Sequence, residues 1–238
     1  MKYSKEECMK QLLVMLLGIL SLAAHAGTIV ETEKVKQLKP SNSLSTCAYR
    51  PTSAEQAYFS KLAESERVTG SFMQPYSIHG KQDVNVAWFG IVRGFTPEPN
   101  AENRYNLFLE HKFFDGLSDC HIMLVSRSGG GDFHAIIETD GKTSIPALAL
   151  VRIYGKVVKE EGKVPTLVVD YVRVWPWFTF TLTDLGPEDQ GNPKWRKLCK
   201  PCSGGRVYNP YPTEQYYLNV LGDPKDFALQ TAQGQQGH

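Results

Sequence analysis

The stretch "LVRIYGKVVKEEGKVPTLVVDYVRVW", Leu150 to Trp175, decides the fold. Two runs rich in β-branched and aromatic residues alternate with a period of two on either side of the charged turn "KEEGKVP". That is the pattern of a hairpin and not of a helix. It predicts strands over Ala149–Val158 and Thr166–Trp175. Working back toward the N-terminus, the alternation predicts a strand in "VNVAWFGIVRG", Val84 to Gly94, and another in "RYNLFLEHKFF", Arg104 to Phe114. A third is expected over Cys120–Arg127, broken by "SGGGD" and resuming through "FHAIIE".

Gly155 inside the fourth strand and Gly90 inside the first have a physical reason in a small barrel, whose strands must coil sharply and whose crowded bends glycine relieves. With these glycines, the charged turn and the apolar end of the last strand, the closing hairpin resembles that of OB-fold domains of the tRNA-anticodon-like type. "VAWFGIVRG" is similar to their opening strand. The resemblance covers about residues 83–182 and implies a mainly β protein built on a five-stranded OB-like barrel. It also implies a binding role, in which aromatic side chains on the barrel face stack against bases or sugars. An immunoglobulin-like sandwich is the main rival, but it uses about seven strands.

Outside the barrel the chain divides by composition. Residues 1–26 carry lysines, an apolar run from Leu12 to Leu22 and then Ala24-His25-Ala26, the small-x-small pattern of a cleaved signal peptide. Initiation falls at Met1 or at Met9. The apolar run is short for a membrane span, so no integral membrane segment is expected in the mature chain, and the product is expected in the periplasm or outside the cell. Residues 27–52 read as a polar arm or linker. Residues 53–82 hold a short helix opened by a Ser53/Gln56 capping box, and a connection. Residues 183–238 form a Pro/Gly-rich extension with a polar tail. In it, Thr213–Leu221 is expected to be helical, with Gly222 ending the helix.

Five cysteines occur in 238 residues, of which Cys47, Cys120, Cys199 and Cys202 survive processing. In an oxidising compartment an even number reads first as two disulfides of undetermined connectivity. "CKPC" is followed by Ser203-Gly204-Gly205, where no helix can begin well to stabilise a thiolate, so a structural bridge involving Cys199 or Cys202, for example to Cys47, is preferred over a zinc knuckle and over redox chemistry.

The richest concentration of polar chemistry is "EHKFFDGLSDCHIMLVSRSGGGDF", Glu110 to Phe133. His111, Asp115, Asp119 and His121 could converge at one rim of a hairpin, and zinc or copper accepts such ligands, with His111 and His121 as the metal pair. The alternative is a turn held by local Asp hydrogen bonds. "VWPWFTF" places Trp175 and Trp177 beside Pro176, at an edge or past a strand end, where they either bind a ligand or pack under the C-terminal extension.

The formal net charge is +1, and the signal carries three lysines against two glutamates, so the mature chain is neutral. A nucleic-acid partner is therefore not expected, since phosphate binding draws on a surplus of Lys and Arg. Two functions remain open. One is an exported OB-fold-like binding or assembly module of the cell envelope, with a protein or polymer partner and no cofactor. The other is a metal-dependent enzyme centred on the His111/His121 hairpin.

Overall fold

In the computed structural model the described residues are 27–34, 49, 51–62, 74–75, 78, 82–98, 101, 103–117, 122–140, 145–183 and 213–226. The chain order of elements is β1 (Ile29–Thr32), α1 (Gln56–Phe59), β2 (Asn85–Pro97), β3 (Arg104–Lys112), β4 (Phe114–Leu117), β5 (Met123–Ser126), β6 (Asp132–Glu138), β7 (Leu150–Glu161), β8 (Val164–Trp175), β9 (Phe180–Thr183) and α2 (Glu214–Leu221).

Five of these strands close on themselves. β2 pairs antiparallel with β3, β3 with β6 and β7 with both β8 and β2, while β6 and β8 run parallel. The circuit β2-β3-β6-β8-β7-β2 is a closed, five-stranded mixed barrel, as expected for a mainly β chain. Its interior is built by every second residue. Trp88, Leu109, Phe133, Val151, Ile153 and Val172 point inward and are buried, with the Trp88 and Phe133 rings edge to face at 5.2 Å. Deleting a large aromatic from such a core costs about 3–5 kcal/mol.

Gly155 sits where the β7–β8 register shifts, and a Cβ there would lie 2.4 Å from the Val168 carbonyl oxygen. The strands can approach at this bend only because residue 155 has no side chain. At Gly90 a Cβ would meet the Phe133 ring at 3.0 Å.

The third barrel strand is β6, the resumed "FHAIIE" run, and not Cys120–Arg127. In β6 the inward set Phe133, Ala135 and Ile137 alternates with the outward set Asp132, His134, Ile136 and Glu138, as a barrel wall requires. The β5 residues Met123–Ser126 are buried on both faces, and β5 joins a separate sheet of order β4-β5-β9. The second predicted strand likewise divides at Phe113, and its last residue, Phe114, opens β4 of that small sheet.

Residues 27–34 add an element with no period-two signal. β1 pairs parallel with the C-terminal half of β8, Ile29 facing Tyr171 and Thr32 facing Val174. Thr28 bridges the seam where β6 and β8 part: its amide donates to Glu138 O at 2.7 Å, and its hydroxyl donates to Val169 O at 2.9 Å.

The capping box is present one residue earlier than Ser53/Gln56. The Glu55 amide donates to Thr52 Oγ1 at 3.2 Å, and the Thr52 amide donates back to Glu55 Oε2 at 3.1 Å. Glu55 wins because its carboxylate is also wanted by the barrel wall, as described below. α2 forms as expected: Thr213 Oγ1 accepts from the Tyr216 amide, and Gly222 ends the helix with φ 97°.

Candidate functional site

His111 does not stand at a rim. It is buried against the barrel interior with the Trp88 and Phe113 rings around it, at 6.3 and 4.9 Å and near right angles. Its Nδ1 accepts the Gly130 amide at 2.9 Å, and its own amide donates to Gly131 O at 3.0 Å. The imidazole is therefore the neutral tautomer with its hydrogen on Nε2, an atom with no hydrogen-bond partner. Burial, followed by the nearby Lys112 charge, lowers its pKa to about 3.

This arrangement explains the glycine run. A Cβ on Gly129 would fall 1.7 Å from the His111 carbonyl oxygen, and one on Gly130 would fall 2.8 Å from Gln74 Cβ. "SGGGD" is a loop pressed onto β3, with His111 as the side chain that holds it.

The neighbouring charges are also spent on structure. Lys112, buried, donates from Nζ to Glu110 Oε1 and to Arg127 O, each at 2.5 Å. Arg93 grips Glu110 through Nε at 2.8 Å and reaches the terminal carbonyl of α2, Leu221 O, at 3.0 Å. Burial would raise the Glu110 pKa, but the hydrogen bonds from Lys112 and Arg93 outweigh it and hold the carboxyl below its ordinary value.

Asp115 lies on β4, with its backbone alone described. Asp119, His121 and the cysteines Cys47, Cys120, Cys199 and Cys202 lie outside the described residues. Among the described residues no group of three or more His, Cys, Asp or Glu side chains could hold a metal ion, and no helix is long and apolar enough to cross a membrane.

The two tryptophans are brought together with the chain ends. Trp175 is buried on the outer barrel face, under Tyr49 and beside Phe89. Trp177 stacks on Tyr217 of α2 at 5.1 Å, and its Nε1 donates to Leu148 O at 3.3 Å. Tyr217 in turn accepts the Phe178 amide at 2.8 Å and donates to Phe180 O.

A polar cluster that the sequence did not single out covers the outer wall of β2, β7 and β8. In register, three rows cross these strands: Ala87, Tyr154, Tyr171; Phe89, Arg152, Arg173; and Ile91, Leu150, Trp175. The first row packs under Tyr58, Phe59 and Leu62, and the last under the small sheet and α2. Over the middle row lies Tyr49, with the Arg152 guanidinium carbon 3.9 Å from its ring centre.

Glu55, fully buried, is the anchor of this cluster. Its Oε1 accepts the hydroxyls of Tyr49 and of Tyr154, the latter at 2.6 Å, and its Oε2 accepts Arg173 Nη1 at 2.9 Å. Arg173 also donates to Glu33, Nε to Oε1 at 2.7 Å. Tyr171 and Thr52 both donate to Glu31 Oε2, Thr52 at 2.7 Å. Burial pushes the Tyr49 and Tyr154 phenols well above their ordinary pKa, with Arg152 opposing and Glu55 reinforcing, so both remain donors. The carboxylate is saturated with donors, which makes the cluster a latch that ties Tyr49, Thr52 and Glu55 to the barrel. Its signal in the sequence was the Arg-x-Tyr and Tyr-x-Arg pairs at alternate positions of adjacent strands. Their face reads as solvated unless a covering segment is known.

The outer wall of β3, β6 and β8 differs. Phe108, His134 and Thr166 stand in one row, Asn106, Ile136 and Val168 in the next. Phe108 and His134, both half-buried, meet edge to face at 4.8 Å. Burial lowers the His134 pKa, against the attraction of Glu161, so the ring is neutral at pH 7. Asn106 Oδ1 and Thr166 Oγ1 are buried atoms without a hydrogen-bond partner.

The chain matches no family model and no curated protein.

Proposed function

We propose that the protein is an exported binding or assembly module of the cell envelope that uses the outer wall of β3 and β6. The observation that carries this reading is the barrel circuit together with what stands on that wall. In an OB barrel of the tRNA-anticodon-like kind the second and third strands form the ligand face, and here those strands are β3 and β6. They present Phe108, His134 and Ile136 half-buried rather than sealed under another element as Phe89 and Trp175 are. The step from fold to binding is analogy.

The partner is a protein or a neutral polymer. Both signs of charge ring the wall, with Arg104 paired to Glu98 at 3.0 Å and Lys159 to Glu161 at 2.8 Å, so among the described residues no continuous basic track follows it. The reading needs no cofactor.

Tyr49 and α2 support a structural bridge between the chain ends. Tyr49, two residues past Cys47, packs in the same apolar cluster as Tyr217 and Leu221, so arm and extension meet on one face of the barrel. That supports a Cys47 disulfide to Cys199 or Cys202.

The test is affinity capture from an envelope extract with the processed chain, with Phe108→Ala and the α2 surface variant Gln215→Ala alongside. A partner or polymer retained by wild type and Gln215→Ala and lost with Phe108→Ala is expected. Retention by Phe108→Ala, or substrate turnover by the isolated chain with nothing captured, overturns the reading.

A further inference from the structure

β9 is the end strand of the small sheet, with β5 on one side and, among the described residues, no strand on the other. Toward β5 the pairing is ordinary: the Met123 amide donates to Thr179 O at 3.1 Å. Backbone groups alternate along a strand, so those of residues 180 and 182 face the outer edge. Folded proteins seldom leave such an edge bare, because it is a template for another chain.

α2 covers this edge with two side chains. The Tyr216 hydroxyl accepts the Leu182 amide at 2.9 Å and donates to Leu182 O at 3.2 Å. The Tyr217 hydroxyl accepts the Phe178 amide at 2.8 Å and donates to Phe180 O. Two phenols thus hold, at residues 178, 180 and 182, the groups that a neighbouring strand would hold.

The same contact holds strain. The Thr179 amide closes a turn onto Pro176 O at 3.2 Å, and Phe178 stands in that turn with φ 75°. Glycine is the usual residue at such a position, and a bulky side chain there is costly. Trp177 stacks on Tyr217 and donates to Leu148 O, and Leu148 is a second bulky residue with positive φ, 59°. Strained backbone persists only where its surroundings enforce it, and it gathers at switches and ligand clamps. Both strained residues lean on Tyr217, Phe178 directly and Leu148 through Trp177. Phe178 is also 44% exposed beside the edge.

We propose that α2 is a displaceable cap, and that an extended segment of a partner protein replaces it by adding a strand to the outer edge of β9. This edge is separate from the wall of β3 and β6. A polypeptide is selected because backbone donors and acceptors are presented at every second residue, a pattern that another backbone repeats. Tyr217, on leaving, vacates a slot beside Trp177 and Phe180, so the partner carries an aromatic side chain that fills it. α2 shares no strand pairing with the barrel, and residues 184–212 tether it to the end of β9, so it leaves with the barrel closed.

Hydrogen exchange on the processed chain reads the cap. The Phe178 and Leu182 amides should exchange about a hundredfold or more faster than the Met123 amide on the other side of β9. Equal rates, set by global unfolding, would make α2 a fixed part of the core and overturn the proposal.

A phage-displayed library of linear peptides, selected on the same chain, reads the partner. Synthetic copies of the selected peptides should carry an aromatic residue and protect the Phe178 and Leu182 amides. Tyr216→Phe and Tyr217→Phe keep the rings but remove the competing hydroxyls, so each should tighten peptide binding about three- to tenfold. Slow exchange at Val151 and Val172 checks that both variants keep the barrel. A library that yields no peptide protecting the two amides, or affinity unchanged or lower in both tyrosine variants, overturns strand addition. Phe108→Ala should leave peptide binding unchanged. Its loss there would place the peptide on the β3 and β6 wall and defeat the assignment to β9, whereas capture that fails while the peptides still bind β9 defeats only the wall.

Discussion

Arg152 and Tyr49 face each other across the outer barrel wall, with the guanidinium carbon 3.9 Å from the ring centre. One residue belongs to β7 and the other to the arm, and between them they join residue 49 to the β-core. A desolvated cation over an aromatic face contributes about 2 kcal/mol, and the Tyr49 hydroxyl adds a charge-assisted bond to Glu55. Tyr49→Phe should therefore lower stability by about 1.5–3 kcal/mol, and Tyr49→Ala by about 3–5 kcal/mol, in urea unfolding. A Tyr49→Ala loss below about 1 kcal/mol would mean that the arm does not dock.

Glu55→Gln removes the charge that Arg173 shares between Glu55 and Glu33 and leaves the Tyr49 and Tyr154 hydroxyls facing a weaker acceptor. Breaking a buried ion pair from one side costs about 3–5 kcal/mol. Limited proteolysis should then cut within residues 31–62 before the barrel. Simultaneous cutting of both would count against a separate latch.

His111 gives the protein an acid-sensitive term with a defined sign. Its folded pKa is depressed to about 3, and unfolded histidine titrates at about 6.5. Below about 6.5 the unfolded state takes up a proton that the folded state refuses, so stability falls as pH drops through that window and levels near 3. His111→Gln keeps an acceptor for Gly130 without the titration, and its stability between pH 7 and 4 should fall less steeply than wild type. Parallel curves would show that the imidazole is not the group concerned.

Two glycine substitutions should separate crowding from backbone conformation. Gly129→Ala puts a Cβ on the His111 carbonyl and should unfold the loop or the protein. At Gly162, φ is 64° and a Cβ meets nothing, so Gly162→Ala should cost only about 1–2 kcal/mol for its left-handed backbone. Circular dichroism melts of the pair decide, and equal losses would contradict the loop packing.

Reduction should lower the melting temperature and release the arm and the extension to protease, while the barrel survives longest. A bridge from Cys47 to Cys199 or Cys202 closes most of the mature chain, which the chain-entropy model values at about 4–5 kcal/mol. Non-reducing peptide mapping reads the connectivity directly, and a Cys199–Cys202 bridge or four free thiols would refute it.

The sequence by itself determined the barrel, because a strand's side chains alternate with period two whatever it packs against. Leu150–Trp175 therefore announced a hairpin, and Thr213 with Gly222 announced a helix with its ends. Tertiary structure alone decided which run became the third barrel strand. Both "MLVS" and "FHAIIE" favour extension, and only neighbours on both sides choose between them. It also decided the fate of His111, whose Leu109-His111-Phe113 alternation fits a solvated rim and a core wall equally well until a glycine loop 19 residues away closes over it. Period-two reading likewise cannot tell that Arg152 and Arg173 are buried, since the face they share is covered by residues 49–62, distant in sequence. Burial by a remote segment leaves no mark on local periodicity, and the orphaned Asn106 and Thr166 atoms are likewise visible only once every other polar group has found its partner.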